Sequence, residues 1–333
     1  MRSRVWIYIL AAFVFVSCKG QSKRGLEYPQ SEIENIREKT NYKEFLKLKT
    51  SLTVELNEAV AAMMIYSYPP FLFTRNYRSL PQYLYDTRNN KMIQIGDVGK
   101  GPGEYKHLGS IAFVSPNEFY GLARGLKRIN KYKIKEDKVI CEDVINLNTE
   151  YDVWYDEIYY KNGNIYCNSF SGPAGTYQIV VYDSEMNIIN KFHKRSVKSS
   201  GVVPVSLFYK DMIIFLSEYN FDQKQHHDSF VYIYSLNGDL LSKIDAHEHN
   251  IRELLIDKTG KYIFVATEKQ VKIFTLEGDL VHKVKMDSEL YNPALRFMRT
   301  GKQYDDIIYG FQTDKPNVYK VNIYSCEIEG ATE

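Results

Sequence analysis

Six times along the chain an alternating apolar stretch closes on an aromatic residue and gives way to a polar turn and a second short strand. The clearest copies are Val231-Tyr-Ile-Tyr-Ser-Leu-Asn-Gly-Asp-Leu-Leu and Val271-Lys-Ile-Phe-Thr-Leu-Glu-Gly-Asp-Leu-Val. The aromatic anchors are Tyr85, Tyr132, Tyr182, Tyr234, Phe274 and Tyr324, at spacings of 47, 50, 52, 40 and 50 residues. A repeat of that length cannot hide its own apolar faces and must stack on its neighbours; four short strands per unit is the count of a propeller blade. The pattern therefore predicts an all-β chain, a six-bladed β-propeller.

The N-terminus speaks to location. Arg2 and Arg4 precede an unbroken apolar run from Val5 to Val16, too short to span a bilayer but suited to the core of a signal peptide. Phe15-Val16-Ser17-Cys18 follows and resembles a lipobox, in which a small residue precedes a cysteine that is lipidated and becomes the first residue of the mature chain. The sequence thus divides into a lipoprotein signal peptide over 1–17, a tether with a short helix over 18–50, and the propeller over 51–333. Ser31-Glu-Ile-Glu34 fits a capping box for that helix. The expected location is the periplasmic side of the envelope, lipid-anchored, at the outer membrane, with the membrane as one partner.

Charge is balanced, 43 Lys plus Arg against 41 Asp plus Glu, and the basic residues are scattered, so no nucleic-acid footprint is present. Cys141, Cys167 and Cys326 show no metal-type spacing and sit in strand-like runs; isolated core thiols are the preferred reading, and a single disulfide in an oxidising periplasm is the alternative. The 28 tyrosines outnumber Phe and Trp together and fit half-buried strand positions before they fit sugar-stacking platforms.

Laid on a four-strand template, the sixth unit lacks one strand: Leu295–Met298, Asp306–Gly310 and Val318–Tyr324 supply three, after which the chain has no further alternating run. The strand near Leu52–Leu56 is expected to cross over and fill the vacancy, which leaves no open sheet edge at the seam.

Between the first and second units runs Ile95-Gly-Asp-Val-Gly99-Lys-Gly101-Pro102-Gly103-Glu104-Tyr105. It lacks the GxxxxGK[ST] pattern of a phosphate loop. The segment reads instead as a structural turn: Gly99, Gly101 and Gly103 permit backbone angles closed to other residues, Pro102 stiffens the turn, and Glu104 accepts hydrogen bonds from turn N–H groups. With the Gly99–Tyr105 motif, six units and a lipobox, the chain resembles the six-bladed propeller lipoproteins of Bacteroidetes, the TolB-like and NHL-like group. The resemblance covers roughly residues 52–324 and implies a fold and an envelope location more than a reaction. Lys19-Gly-Gln-Ser22 lacks the acidic signal that sends such lipoproteins to the cell surface, which favours the periplasmic side.

Antiparallel order puts the loops between second and third strands at the same end as the links between units. Ligand-face candidates there are Arg75, Asn76, Glu104, Arg124, Ser169, Ser171, Glu218, Glu268 and Asp314. A mixed ring of arginines and carboxylates suits a polar small molecule, a glycan, a peptide or a partner protein. No cofactor is expected and no catalytic residue is assigned. The preferred function is a non-catalytic binding or scaffold module. The alternative is a metal-dependent hydrolase of the lactonase type, in which Glu218, Glu268 and Asp314 offer hard oxygen ligands to a divalent cation such as calcium. His247-Glu-His249 is half a metal site without a third ligand.

Overall fold

Period-two alternation, broken by short polar turns, becomes six antiparallel sheets among the residues described by the computed structural model: 26–55, 62–76, 81–147, 153–171, 176–196, 206–217, 230–248, 251, 253–267, 269–286, 306–312 and 318–330. Sheet I holds β2 (Ala62–Tyr68), β3 (Phe71–Asn76), β4 (Gln82–Asp86) and β5 (Lys91–Ile95). Sheet II holds β6 (His107–Ser115), β7 (Glu118–Arg124), β8 (Arg128–Lys135) and β9 (Lys138–Asn146). Sheet III holds β10 (Val153–Lys161), β11 (Asn164–Ser171), β12 (Thr176–Tyr182) and β13 (Ile188–Ser196). In sheet IV these are β14 (Ser206–Tyr209), β15 (Met212–Ser217), β16 (Phe230–Ser235) and β17 (Leu240–Asp245); in sheet V, β18 (Glu253–Ile256), β19 (Tyr262–Ala266), β20 (Gln270–Thr275) and β21 (Leu280–Lys285). Strands in these five sheets pair in chain order.

Sheet VI departs from that order. It joins β1 (Leu46–Glu55) to β23 (Val318–Cys326) and then β22 (Asp306–Gln312). The crossover expected from the sequence is therefore present, and Leu52 stands opposite Val321 in an antiparallel register. The strand is longer than expected and starts at Leu46 instead of Leu52, because β23 offers it partners as far as Cys326, across an irregularity between Leu48 and Thr50. The expected strand Leu295–Met298 lies outside the described residues, as do Cys18, the lipobox and the signal-peptide core.

Local chemistry sets the turns. Asn162 and Gly163 both have positive φ, 52° and 82°, the pair of left-handed residues that a two-residue hairpin between right-twisted strands demands. Gly238, φ 91°, serves its turn and its neighbour: a Cβ there would lie 2.8 Å from the Phe192 ring of sheet III.

Burial joins successive sheets. Phe73 and Ile95 of sheet I share a core with Leu108 and Phe119 of sheet II. Ile129 packs with Ile158 and Val180 across II and III, and Tyr159 stacks on Phe208 across III and IV at 4.3 Å between ring centroids. Ile214 and Ile233 meet Leu254 and Val265 across IV and V. Val54, Val321 and Ile323 of sheet VI pack against Leu72 and Tyr85 of sheet I. The aromatic anchors Tyr132 and Tyr182 are fully buried, and Tyr85, Tyr234 and Phe274 are nearly so. Each such side chain contributes about 1.5–3 kcal/mol of apolar transfer free energy.

The segment expected to be a tether is built into this core from Leu26 onward. Helix α1 (Gln30–Glu38) follows Pro29 and carries no side-chain cap, so the capping box expected at Ser31 does not form; a capping box forms instead at Asn41 and Glu44, on the short 3-10 turn Tyr42–Phe45. Ile36, Tyr42 and Phe45 are buried against Phe264 and Ile273 of sheet V, and Glu32 bonds Lys261 Nζ (3.1 Å) and the Tyr262 hydroxyl (3.1 Å). The short helix expected here is therefore present, but its docking against sheet V was not expected. Among the described residues no helix is long and apolar enough to cross a membrane.

Candidate functional site

Strand order gives each sheet two ends. One, the hairpin end, carries the first-to-second and third-to-fourth turns; the other, the linker end, carries the second-to-third loops and the links between sheets. Arg75 and Asn76 close β3, Arg124 closes β7 and Ser171 closes β11, so all four backbones stand at the linker end as expected. Glu218, Glu268 and Asp314 lie outside the described residues. Ser169 does not belong to an open surface: it is buried within β11 and its hydroxyl donates to the Gln178 carbonyl at 3.1 Å.

The link from sheet I to sheet II is the best-defined part of this end. Arg128, first residue of β8, lies beneath it and donates to the carbonyls of Lys100 (3.1 Å), Gly101 (2.5 Å) and Glu104 (2.6 Å). Asn130, two residues on and on the same strand face, donates to Glu104 O at 3.1 Å and to the Tyr132 hydroxyl at 2.9 Å; that hydroxyl donates in turn to Gly103 O. Tyr105 turns inward, and its hydroxyl accepts the Gln82 N–H at 2.8 Å. Burial pushes the Tyr105 and Tyr132 phenols well above their usual range, so both stay protonated.

Glu104 accepts the Gly101 N–H through Oε2 at 2.5 Å, the turn-capping role expected of it. The glycines act differently from expectation. Gly103 has positive φ, 74°, but Gly99 and Gly101 do not; the left-handed partner is Gly96, at 51°. Gly99 and Gly101 are glycine because the Glu104 carboxylate occupies the space a Cβ would fill. A loop rich in backbone N–H groups is thus already served by an internal carboxylate, which accounts for glycine here without any phosphate.

Around the neighbouring Gly125 turn the fold gathers positive charge. Arg124 stands opposite His107 in the β6–β7 register, its aliphatic chain lying over Gly109. Lys106 and Lys127 are exposed on either side, Lys106 within van der Waals reach of the Gly125 position. Sequence reading found Arg124 alone; Lys106, His107 and Lys127 were missed because only the pairing of β6 with β7, His107 opposite Arg124, sets the two segments side by side. Such a group recognises carboxylate, sulfate or phosphate oxygens by charge-assisted hydrogen bonds.

Among the described residues Cys141, Cys167 and Cys326 form no disulfide, and burial raises the Cys141 and Cys167 thiols above their usual range, which keeps them protonated. Among the described residues no group of three His, Cys, Asp or Glu side chains is placed to hold a metal ion. His247 is an exposed loop residue beside Asp245, and His249 lies outside the described residues. Three residues before the linker end of β11, the buried Asn168 side-chain amide has no hydrogen-bond partner at either atom among the described residues.

No protein-family model matches the chain, and no curated protein sequence does. Among solved structures it is similar to a putative exported protein of Bacteroides fragilis, at 15% identity and TM-score 0.57, covering 86% of this chain and 97% of the other. Hydrazine synthase of Kuenenia stuttgartiensis aligns at 15% identity and TM-score 0.50, covering 81% and 78%. The Dos1 propeller aligns at 10% identity and TM-score 0.48, covering 78% and 76%. At these identities the first two likenesses concern the fold alone; the all-β, propeller-like array of antiparallel sheets is read from this chain's own strand pairing.

Proposed function

We propose that the chain is a six-bladed β-propeller lipoprotein, tethered through Cys18 on the periplasmic side of the outer membrane, that binds a polar, anionic ligand or partner at its linker end without catalysing a reaction. The contact of Val54, Val321 and Ile323 with Leu72 and Tyr85 supports a ring in which sheet VI closes on sheet I. The observation that carries the binding reading is the convergence of Lys106, His107, Arg124 and Lys127 on one rigid corner, held in place by the Arg128-pinned loop beside it.

A glycan and peptide array probed with the purified protein tests this. Ligands captured by the native chain should carry carboxylate, sulfate or phosphate, and Arg124→Ala with Lys127→Ala should weaken capture about tenfold or more with an unchanged melting temperature. Undiminished capture by that double variant, or capture of neutral ligands only, sinks the reading. The rival metal-dependent hydrolase requires a stabilising cation; the binding module requires none, so its melting temperature should be the same in calcium and in EDTA.

A further inference from the structure

Large aliphatic side chains are exposed at seven positions among the described residues. Six of them, Leu48, Ile140, Ile188, Ile189, Leu240 and Leu280, fall within the first three residues of an outermost strand: β1, β9, β13, β17 or β21. Every outermost strand starts at the hairpin end, β1 included, since Leu46 stands opposite Cys326 where β23 finishes. These aliphatics therefore form a discontinuous rim around that end, spread over sheets II to VI. The seventh, Val98, is at the linker end.

The same positions are basic. Lys138, Lys191, Lys243 and Lys283 are exposed within three residues of Ile140, Ile189, Leu240 and Leu280, and the first four residues of all six outermost strands contain no carboxylate. Lysine alone is a familiar protection of sheet edges against pairing with another chain. Exposed aliphatics do the opposite, and edge protection does not explain their confinement to one end. Of the carboxylates in the adjoining turns, Asp86 is turned to Arg88, Asp183 to the N–H groups of Glu185 and Asn187, Asp239 to Ser235 and Asp137 to Lys91, while Glu136, Glu185 and Asp279 are exposed beside the lysines.

The chain also enters the fold at this end. Leu26 packs into the core shared by sheets IV and V, and the Tyr28 hydroxyl accepts the N–H of Leu276, in the turn just before Leu280. Cys18 is eight residues earlier, a reach of at most about 28 Å when fully extended.

We infer that the hairpin-end rim rests on the lipid bilayer, its aliphatics in the headgroup region and its lysines at the phosphates, so that the linker end points away from the membrane. The inference rests on the lipid-anchor reading, which supplies the bilayer; the rim then decides which way the anchored ring faces. Lysine stems lying along an apolar contact with their ammonium groups at the polar boundary suit this placement.

Tryptophan placed at three positions tests it in the full lipidated chain, reconstituted in vesicles of phosphatidylethanolamine with about one quarter phosphatidylglycerol, an anionic surface of the kind that attracts basic residues. Leu240→Trp and Leu280→Trp should shift to shorter emission wavelength on reconstitution and lose about half their added intensity to lipids brominated near the headgroup, the depth of an interfacial side chain. Val98→Trp should do neither. Vesicle flotation of the native chain reads the anchor separately. Flotation without quenching at positions 240 and 280, or with equal quenching at 98, overturns the rim and leaves the anchor standing. Failure to float overturns the anchor and the rim with it. A wavelength shift at 240 that grows with protein concentration before vesicles are added identifies a second copy of the chain as the occupant, and also overturns the proposal.

Discussion

Arg128 shows how one side chain can hold a loop that has no regular structure. Its guanidinium serves three carbonyls of the loop: Lys100 O, Gly101 O, which also accepts the Glu104 N–H, and Glu104 O, which also accepts from Asn130. Arg128→Met should cost about 3 kcal/mol, seen as an earlier urea midpoint, because the donors vanish and the carbonyls remain. Gly99 offers a cleaner test of the loop. Gly99→Ala displaces the Glu104 carboxylate and should destabilise by about 1–2 kcal/mol, the worth of a charge-assisted bond. In a Glu104→Ala background the same change should cost much less; equal costs in both backgrounds would show that the carboxylate is not the reason for glycine. Asp86 carries the pH dependence at this scale. Arg88, donating from Nε at 2.9 Å and from its terminal nitrogen at 2.7 Å, holds the Asp86 carboxyl below the usual carboxylate range. Its pKa is lower folded than unfolded, so its stabilisation is present above about pH 4 and lost as pH falls through the folded value. Urea midpoints of the native chain and Asp86→Asn should differ at pH 6 and converge on acidification. The residue types of this loop were visible in the sequence, but their roles were not. Glycine chosen for the volume a carboxylate takes and glycine chosen for positive φ are the same letter.

At the scale of elements, strands were the most legible part of the chain. Met212–Ser217 and Tyr262–Ala266 begin and end where continuous apolar runs meet turn residues, since a strand covered on both faces reads as a short apolar run bounded by turn signals. Helix α1 was less legible, and its docking not at all. Glu32 is buried against Lys261 and Tyr262, more than two hundred residues away, and no local pattern signals that partner. Glu32→Gln should destabilise the chain by weakening the pairing of Lys261, which is itself largely buried. Hydrogen exchange checks the location: faster exchange should appear in α1 and the turn before Tyr262, with β6–β9 unchanged.

Across the whole molecule, β1 ties a segment near the start of the described chain to one near its end. It covers β23, which would otherwise present a long open edge, and delivers Val54 to the contact between sheets VI and I. Val54→Ala should cost about 1–3 kcal/mol by leaving a cavity at that seam. Removing residues 46–55 should abolish a single cooperative thermal transition; retention of one sharp transition would mean that the seam is held elsewhere. The corner formed by Arg124, His107 and Lys106 belongs to this scale as well, because it exists only once β6 and β7 are paired in register.

The sequence by itself determined the unit: four strands, polar turns with Asn-Gly or Gly-Asp, and an aromatic anchor that must be buried by a neighbour. Those are consequences of backbone geometry and of which side chains water excludes, and they act over a few residues. Only the tertiary structure decided what meets at the boundaries. It brought Ser51 to Asn322, 271 residues along the chain, folded the expected tether against sheet V, and gathered positive charge at one corner. Each depends on contacts between segments far apart in sequence, whose closure entropy is met only when the whole set of sheets packs together.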